Sequence, residues 1–159
     1  MDISYPVMRW MRTREADQAA REAPTATDFE ALRESRQALL VTFRRSGEAM
    51  ATPVNHGISD DGKIYFRSEP HVGKLKRIRN NPRVLVGPCT FRGKPLGPLA
   101  EGIARELNSP ESERAFELIK ANWGAVMQPY ERGLDGAGVP EAYVEVVPAA
   151  VWASTRTIV

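Results

Sequence analysis

The residues best suited to chemistry form a run of cations between Arg67 and Arg83. Six lysines and arginines stand here against one acid, Glu69, so the run has a charge of about +5 in a chain whose net charge is only +2. Within it, Gly73 opens a short helical pattern that ends before Pro82. Cations and the backbone N–H groups of a helix start can together bind a phosphate or a similar anion. A solvated cationic helix face is the alternative interpretation.

The other reactive residue types do not form a catalytic set. Cys89 has no histidine near it in sequence, so we expect a small half-buried residue and not a nucleophile. His56 either points into a pocket or ends a strand, and His71 either contacts a bound anion or is solvated. No acids are paired for hydrolysis, and no Ser-His-Asp order indicates acyl transfer. An anion site without proton-transfer residues suits a redox cofactor that performs its own chemistry.

Length and composition are those of an ordinary globular protein. The 159 residues are enough for one domain with a core, and no apolar run reaches the roughly 18 residues of a membrane span. The first residues lack a signal-type apolar region, so we expect a cytoplasmic protein. One cysteine and two histidines exclude an internal disulfide and are too few for a structural zinc site. Nucleic-acid binding is not expected, because the total charge is nearly balanced and the adjacent Tyr65 and Phe66 point to opposite strand faces.

The strands that must position these residues are marked by apolar runs between turn signals. Residues 1–26 are charged and Ala-rich and are predicted to be peripheral, whereas residues 27–159 form the domain. Six strands with hairpin spacing and only short helices predict an antiparallel barrel and not a doubly wound sheet. No Gly-x-Gly-x-x-Gly follows a strand, and no Walker loop is present. The predicted strands are residues 38–45, 49–59, 63–68, 83–91, 96–108 and 141–154.

Two further helices are predicted outside the cationic run. Residues 29–37 form a helix with Phe29, Leu32 and Arg36 on one side. Residues 109–124 form another, with Ser109 as the N-cap.

Several segments resemble the flavin and deazaflavin oxidoreductases with a split β-barrel, the superfamily of pyridoxamine 5′-phosphate oxidase. The resemblance is strongest to the actinobacterial branch that uses the deazaflavin coenzyme F420, and it covers about residues 38–153. It implies a mainly β fold, a six-stranded antiparallel split barrel of Greek-key type with short flanking helices. The segments that carry it are ATPV (51–54), IYFRS (64–68), GKLKRIRNNPRV (73–84), GPC (87–89), RGKPLGPLAEGIAREL (92–107) and YVEVVPAAVWA (143–153).

The resemblance also implies where a cofactor binds. In the family, the turn and helix start that match Gly73 and Lys74 hold the cofactor phosphate. The strand matching residues 52–54 and the strand end matching residues 66–68 follow the ring and its ribityl chain, and the GPC strand lies beneath. No catalytic side chain and no metal are expected. The implied cofactor-binding residues are Thr52, Pro53, Val54, Phe66, Arg67, Ser68, Gly73, Lys74, Lys76, Arg77, Pro88 and Cys89.

The implied function is hydride transfer from reduced F420 to a conjugated small molecule such as a quinone, a tetrapyrrole or an enone. F420 is expected because the cations exceed what one phosphate requires, and the surplus would contact its acidic tail. The family implies a homodimer, with Trp123 and Trp152 as candidate contributions across the interface. Relatives usually have an aromatic residue where this chain has Asn55 and His56, so the wall beside the ring differs.

Two other functions remain open from the sequence. The same fold could use FMN as an oxidase or reductase, or it could bind a cofactor or haem without turnover. Residues 124–140 are Gly-rich and loop-like and are expected to contact the acceptor.

Overall fold

A computed structural model describes residues 14–70, 72–122 and 141–157 of the chain. None of the described helices is long and apolar enough to span a membrane. The elements in chain order are helix α1 (Arg14–Arg21), a 3-10 helix (Glu30–Arg33), strands β1 (Gln37–Phe43), β2 (Ala49–Ile58) and β3 (Ile64–Ser68), helix α2 (Gly73–Asn80), strands β4 (Arg83–Cys89) and β5 (Ala100–Glu106), helix α3 (Ser109–Ala121), strand β6 (Ala142–Pro148) and helix α4 (Ala149–Thr157).

The six strands form one closed antiparallel barrel in the order β1-β2-β3-β6-β5-β4. The first three strands and the last three are consecutive, and the connection containing α2 joins the two sets. Because β4 returns to lie beside β1, the arrangement is a Greek key. The predicted six-stranded antiparallel barrel with short helices is therefore confirmed.

The barrel opens on one side, between β2 and β3. Strand β2 pairs with β1 along residues 49–55, but it pairs with β3 only along residues 56–58. Strand β3 then continues beside β6 as far as Ser68. The two strands therefore separate, and an opening remains between residues 49–55 and the end of β3.

Each end of the barrel is closed by a helix that contributes to the apolar interior. The 3-10 helix supplies Leu32, whose carbonyl oxygen lies 2.9 Å from Nε2 of His56 near the end of β2. Helix α2 supplies Leu75 and Ile78, and it is tied to the opposite end of the barrel through Thr42 of β1. Burying each of these apolar side chains contributes roughly 1.5–3 kcal/mol. Of the three residues that the sequence placed on one side of a helix, Phe29 and Leu32 are buried and Arg36 is exposed.

Two helices cover the outer face of the barrel. Helix α1 packs Ala16 and Ala20 into a cluster with Leu39 of β1. Helix α3 packs Ile119 against Tyr65 of β3. These outer clusters fix the strands on both sides of the opening.

Two predicted element types were wrong. Residues 29–37 are not one helix, because β1 starts at Gln37, where it pairs with both β2 and β4 and the tertiary ladders override the local helical pattern. The last strand ends at Pro148, and the chain continues as helix α4 and not as strand. Proline cannot donate to a ladder, and the Ala-rich residues that follow favour a helix.

Two predicted boundaries were also wrong. Strand β5 begins at Ala100 and not near residue 96, because Pro98 lacks the N–H group that a ladder needs. Helix α3 is capped by Asn108 and not by Ser109: Oδ1 of Asn108 accepts the backbone N–H of Glu111 at 3.0 Å, and the Glu111 carboxylate accepts the Asn108 N–H in return. This reciprocal pair satisfies two helix-start donors and explains the shift.

His56 is a buried histidine at the end of the barrel that the 3-10 helix closes. It is 1% exposed, and its backbone carbonyl accepts a hydrogen bond from Asn122 at 3.0 Å. Its Nδ1 atom has no hydrogen-bond partner among the described residues. Burial lowers the pKa of His56, and the hydrogen bond with Leu32 opposes this shift only in part. His56 is therefore a neutral packing residue, and protonation would bury an unsatisfied donor.

We expect His56 to make the fold less stable as pH falls. In the unfolded chain the His56 imidazole binds a proton with a pKa near 6.5, whereas in the native chain this pKa is lower. The contribution of His56 to the free energy of unfolding is therefore complete above about pH 6.5, and below that pH it declines by up to about 1.4 kcal/mol per pH unit. Urea unfolding at about pH 7.5 and about pH 5.5 measures the decline. His56→Gln should reduce it, with His71→Gln as the matched control. A decline that survives His56→Gln but vanishes in His71→Gln would contradict the assignment.

Gly57 sets the distance between β2 and α3. A Cβ at this position would lie 2.4 Å from the carbonyl carbon of Leu118, and backbone atoms cannot rotate away. Gly57→Ala should therefore lower the free energy of unfolding by about 3 kcal/mol, the upper end of the range for overpacking. In Gly47→Ala the Cβ meets nothing within 4 Å and only the positive φ is strained, which costs about 1–2 kcal/mol. Urea unfolding compares the two, and equal stabilities would show that the α3 contact tolerates a side chain.

Candidate functional site

The predicted site residues on β2 and β3 lie at the opening between these strands. On β2, strand alternation turns Thr52 and Val54 toward the interior and Pro53 toward the outer face. On β3, Phe66 is fully buried in the interior cluster and Ser68 faces the same way. The opening is thus bordered by Thr52 and Val54 of β2 and by Ser68 of β3, whereas Phe66 pairs with His56 in the closed part of the ladder.

Helix α2 begins at the end of this opening. Its first turn contains no acidic residue, and Val72 at the N-cap position makes no side-chain cap hydrogen bond. The first N–H groups of a helix have no partner within the helix, and its dipole makes this end positive. Lys74 is half-buried in this first turn, whereas Leu75 and Ile78 face the barrel as predicted. The first turn of α2 therefore combines a cation with backbone N–H groups and contains no acid.

Arg77 reaches back to the same helix start. Its Nε donates a hydrogen bond to Oγ1 of Thr42 at 2.6 Å. Its Nη1 lies 2.7 Å from the position that a Cβ on Gly73 would occupy. Two cations, Lys74 and Arg77, thus stand near a helix end that favours negative charge, and a bound phosphate would stabilise the arrangement.

The remaining cations of the run are placed differently. Lys76 is exposed on α2. Arg79 forms an ion pair with Glu106. Arg83 lies 3.4 Å from Glu101 and stacks on the ring of Phe43. Two of the predicted surplus cations therefore have acidic partners on β5 within the protein.

Arg67 lies on the outer face of β3, beside Tyr65 and opposite to Ser68. Its side chain is only 7% exposed, and Nη1 lies 3.0 Å from Glu141. The guanidinium also stacks over the ring of Phe116 at 5.5 Å. The sequence placed Arg67 with the phosphate-binding cations, whereas the structure packs it against α3.

Cys89 and Pro88 end strand β4 on opposite faces. Cys89 is 2% exposed and belongs to the outer cluster with Ala16 and Leu39, so it is more buried than the sequence indicated. Burial raises the pKa of its thiol to about 12. The thiol is therefore protonated at neutral pH and is not a nucleophile. The Pro88 carbonyl accepts a hydrogen bond from the N–H of Leu96 at 2.9 Å.

A polar network that the sequence analysis missed, centred on the buried Glu145, fastens α3 to the barrel. Glu145 accepts hydrogen bonds from the Tyr65 hydroxyl at 2.8 Å and from Nε of Arg105 at 3.1 Å. Arg105 also pairs with Glu111 of α3 at 2.6 Å. Burial and the Glu145 carboxylate raise the pKa of Tyr65, which stays protonated and donates. The available signal was a single acid inside the otherwise apolar strand that contains Glu145.

An open groove lies outside the barrel, beside Arg67. Its volume is about 560 Å³, and it adjoins Arg67 because Tyr143 pairs with Arg67 across β3 and β6. The residues that line the groove are Ser112, Glu113, Phe116, Glu117 and Tyr143.

His71, Trp123 and residues 124–140, to which the sequence analysis gave possible roles, lie outside the described residues.

Comparison with solved structures gives the same fold at low sequence identity. The conserved hypothetical protein Rv2991 from Mycobacterium tuberculosis is 18% identical, with 80% of this chain and 86% of that chain covered and a TM-score of 0.54. The F420-H2 dependent reductase FDR-A is 20% identical, with coverages of 70% and 94% and a TM-score of 0.51. A heme binding protein from Mycobacterium smegmatis is 16% identical, with coverages of 86% and 51% and a TM-score of 0.53. Identities this low show a shared fold and not a shared function.

The sequence itself gives the family. No curated protein matches the chain at a significant level. Residues 25–152, which are most of the chain, match the family model described as pyridoxamine 5′-phosphate oxidase. The chain therefore belongs to the pyridoxamine 5′-phosphate oxidase family.

Proposed function

We propose that this protein is an oxidoreductase that binds F420 at the opening between β2 and β3 and transfers a hydride from the reduced coenzyme to a conjugated small molecule. The observation that carries the proposal is the start of α2, where Lys74 and Arg77 meet Gly73 and the first turn contains no acid. A phosphate at this point would accept hydrogen bonds from the backbone, the ammonium and the guanidinium together.

The residues around the opening fit a phosphate-bearing flavin-type cofactor. Lys74 and Arg77 would hold the phosphate, and the hydroxyls of Thr52 and Ser68 would accept or donate hydrogen bonds along the ribityl chain. Val54 supplies apolar surface beside them. A bound flavin or deazaflavin supplies the hydride chemistry itself. The protein then has to bind and orient the cofactor and exclude water, which matches an opening whose described residues include no paired acid and base.

Arg67, Pro88 and Cys89 would support the site through packing and hydrogen bonds within the protein and would not contact the phosphate. Arg67 is engaged by Glu141, so it stiffens the end of β3 and does not hold the phosphate. Cys89 is a protonated thiol on the outer face of β4 and acts through packing.

F420 is preferred to FMN because exposed positive charge continues past the phosphate site. Lys76 is exposed on α2, one turn from the helix start, where an acidic tail could lie across it. The F420-H2 dependent reductase of the same fold supports this choice. FMN is the second candidate, and the ion pairs of Arg79 with Glu106 and of Arg83 with Glu101 favour it, because they leave fewer cations for a tail.

The proposal includes a homodimer. Val151 and Trp152 of α4 are 50% and 43% exposed. Adjacent apolar side chains of this size on a helix surface suit a second copy of the chain. In a dimer, the second copy would contribute further residues beside the acceptor. The acceptor itself is proposed to be a conjugated small molecule.

Replacing Lys74 tests the phosphate site. A charge-assisted hydrogen bond contributes roughly 1.5–3 kcal/mol, so Lys74→Ala should weaken binding of F420 or FMN by about ten- to a hundredfold. Lys76→Ala is the matched control, since it removes the same charge two residues away and should change FMN binding little. Titrations followed by cofactor absorbance give the affinities. Unchanged affinity in a folded Lys74→Ala protein would remove the central residue from the proposal.

The choice between F420 and FMN is tested by salt. Exposed ion pairs contribute about 0–1 kcal/mol each and are screened by ions, so contacts with an acidic tail should weaken as salt rises. We expect F420 to bind more tightly than FMN at low ionic strength and to lose more affinity at physiological ionic strength. Lys76→Ala should flatten the salt dependence for F420 alone. Tighter binding of FMN at both ionic strengths, or equal slopes, would favour FMN as the cofactor.

A further inference from the structure

We infer that Thr42 is a positioning residue of the phosphate site, which aims the guanidinium of Arg77 at the start of α2. The inference rests on the proposed function, because it concerns the same site. Thr42 belongs to β1 and is 1% exposed, and its hydroxyl accepts the hydrogen bond from Nε of Arg77 at 2.6 Å. No sequence motif links these two residues, which are 35 positions apart.

The hydrogen bond to Thr42 fixes the direction of the guanidinium. Arginine carries five N–H donors in a rigid planar fork, so engaging Nε orients the four donors on the two Nη atoms. Nη1 lies 2.7 Å from the Cβ position of Gly73. The donors on that nitrogen are therefore held at the first residue of the helix, beside the backbone N–H groups of its first turn.

The chemistry of Thr42 differs from that of the partners of neighbouring arginines. Arg79 and Arg83 pair with carboxylates of β5, whose charge offsets theirs. A threonine hydroxyl orients Arg77 and brings no negative charge of its own. This is the chemistry that an anion site requires, since an anchoring carboxylate would compete with the ligand phosphate.

Gly73 has a matching role in this arrangement. Among the described residues, the glycines with a positive φ are Gly47, Gly62 and Gly93, so Gly73 is not required for an unusual backbone conformation. Its lack of a Cβ instead leaves room for the guanidinium. Thr42 on one side and Gly73 on the other thus define the position of the Arg77 side chain.

The experiment compares Thr42→Val, which removes the hydroxyl at nearly constant volume, with Thr42→Ser, which keeps it. Affinities for FMN and for F420 are measured in wild-type protein, in both variants, and in each variant combined with Arg77→Gln. The hydrogen bond comes from a charged guanidinium and acts on the ligand only through the direction of Arg77, so we take the effect of an ordinary hydrogen bond, about a two- to tenfold change in an equilibrium constant. We expect Thr42→Val to weaken binding of the preferred cofactor by that factor, Thr42→Ser to restore most of it, and Thr42→Val to have no further effect beside Arg77→Gln.

A second variant keeps the inference open to test if Thr42→Val does not fold. Gly73→Ala lies on the exposed start of α2 and should displace the guanidinium, so it should also weaken binding, and its effect should vanish beside Arg77→Gln. If wild-type protein binds neither cofactor, the proposed function fails and the inference falls with it. If wild-type protein binds but the losses from Thr42→Val and Arg77→Gln simply add, or Thr42→Val binds normally, the role of Thr42 is overturned while the proposed function stands.

Discussion

The short ladder between β2 and β3 is the constraint on which the rest of the structure depends. A barrel normally pairs every strand along both edges, because unpaired backbone groups are costly to bury and reactive toward other chains. Here β3 leaves β2 after residues 56–58 and follows β6 instead. The barrel remains closed through the other strands, yet one side is open over residues 49–55. Polar side chains and a helix start can lie there without any breach of the apolar core.

Packing then decides how the cations beside the opening are placed. Leu75 and Ile78 are buried in the barrel end, so α2 has one allowed rotation about its axis. That rotation leaves Lys74 half-buried near the opening and Lys76 exposed. The apolar face of the helix thus sets the electrostatics of its polar face, and the polar network around Glu145 holds α3 on the other side of β3.

Much of the fold was predictable because its signals are local. The six strands follow from apolar runs and turns, and the burial of Phe29 and Leu32 follows from their spacing. The partners of the cations were not predictable, because Glu106 and Glu101 lie 27 and 18 positions away on β5 and no local pattern shows which cation each contacts. The outward direction of Arg67 was available in principle, since Tyr65 and Arg67 alternate with Phe66 and Ser68 along one strand. The contact between Arg77 and Thr42 depends on how α2 packs against the end of the barrel, and no local sequence pattern specifies this packing.

The Greek-key order has a consequence for how the chain reaches its native state. The pairs that close the barrel, β1 with β4 and β3 with β6, join segments separated by long stretches of sequence. Such long-range pairing makes folding slow, because loop entropy is lost before the contacts reward it. Helix α2 lies in the connection between the two three-stranded halves and contacts both β1 and β5, so its packing is complete only when those halves have come together. A ligand held there would bind the complete barrel and not its separate halves. It would therefore stabilise the folded state without favouring partly folded ones.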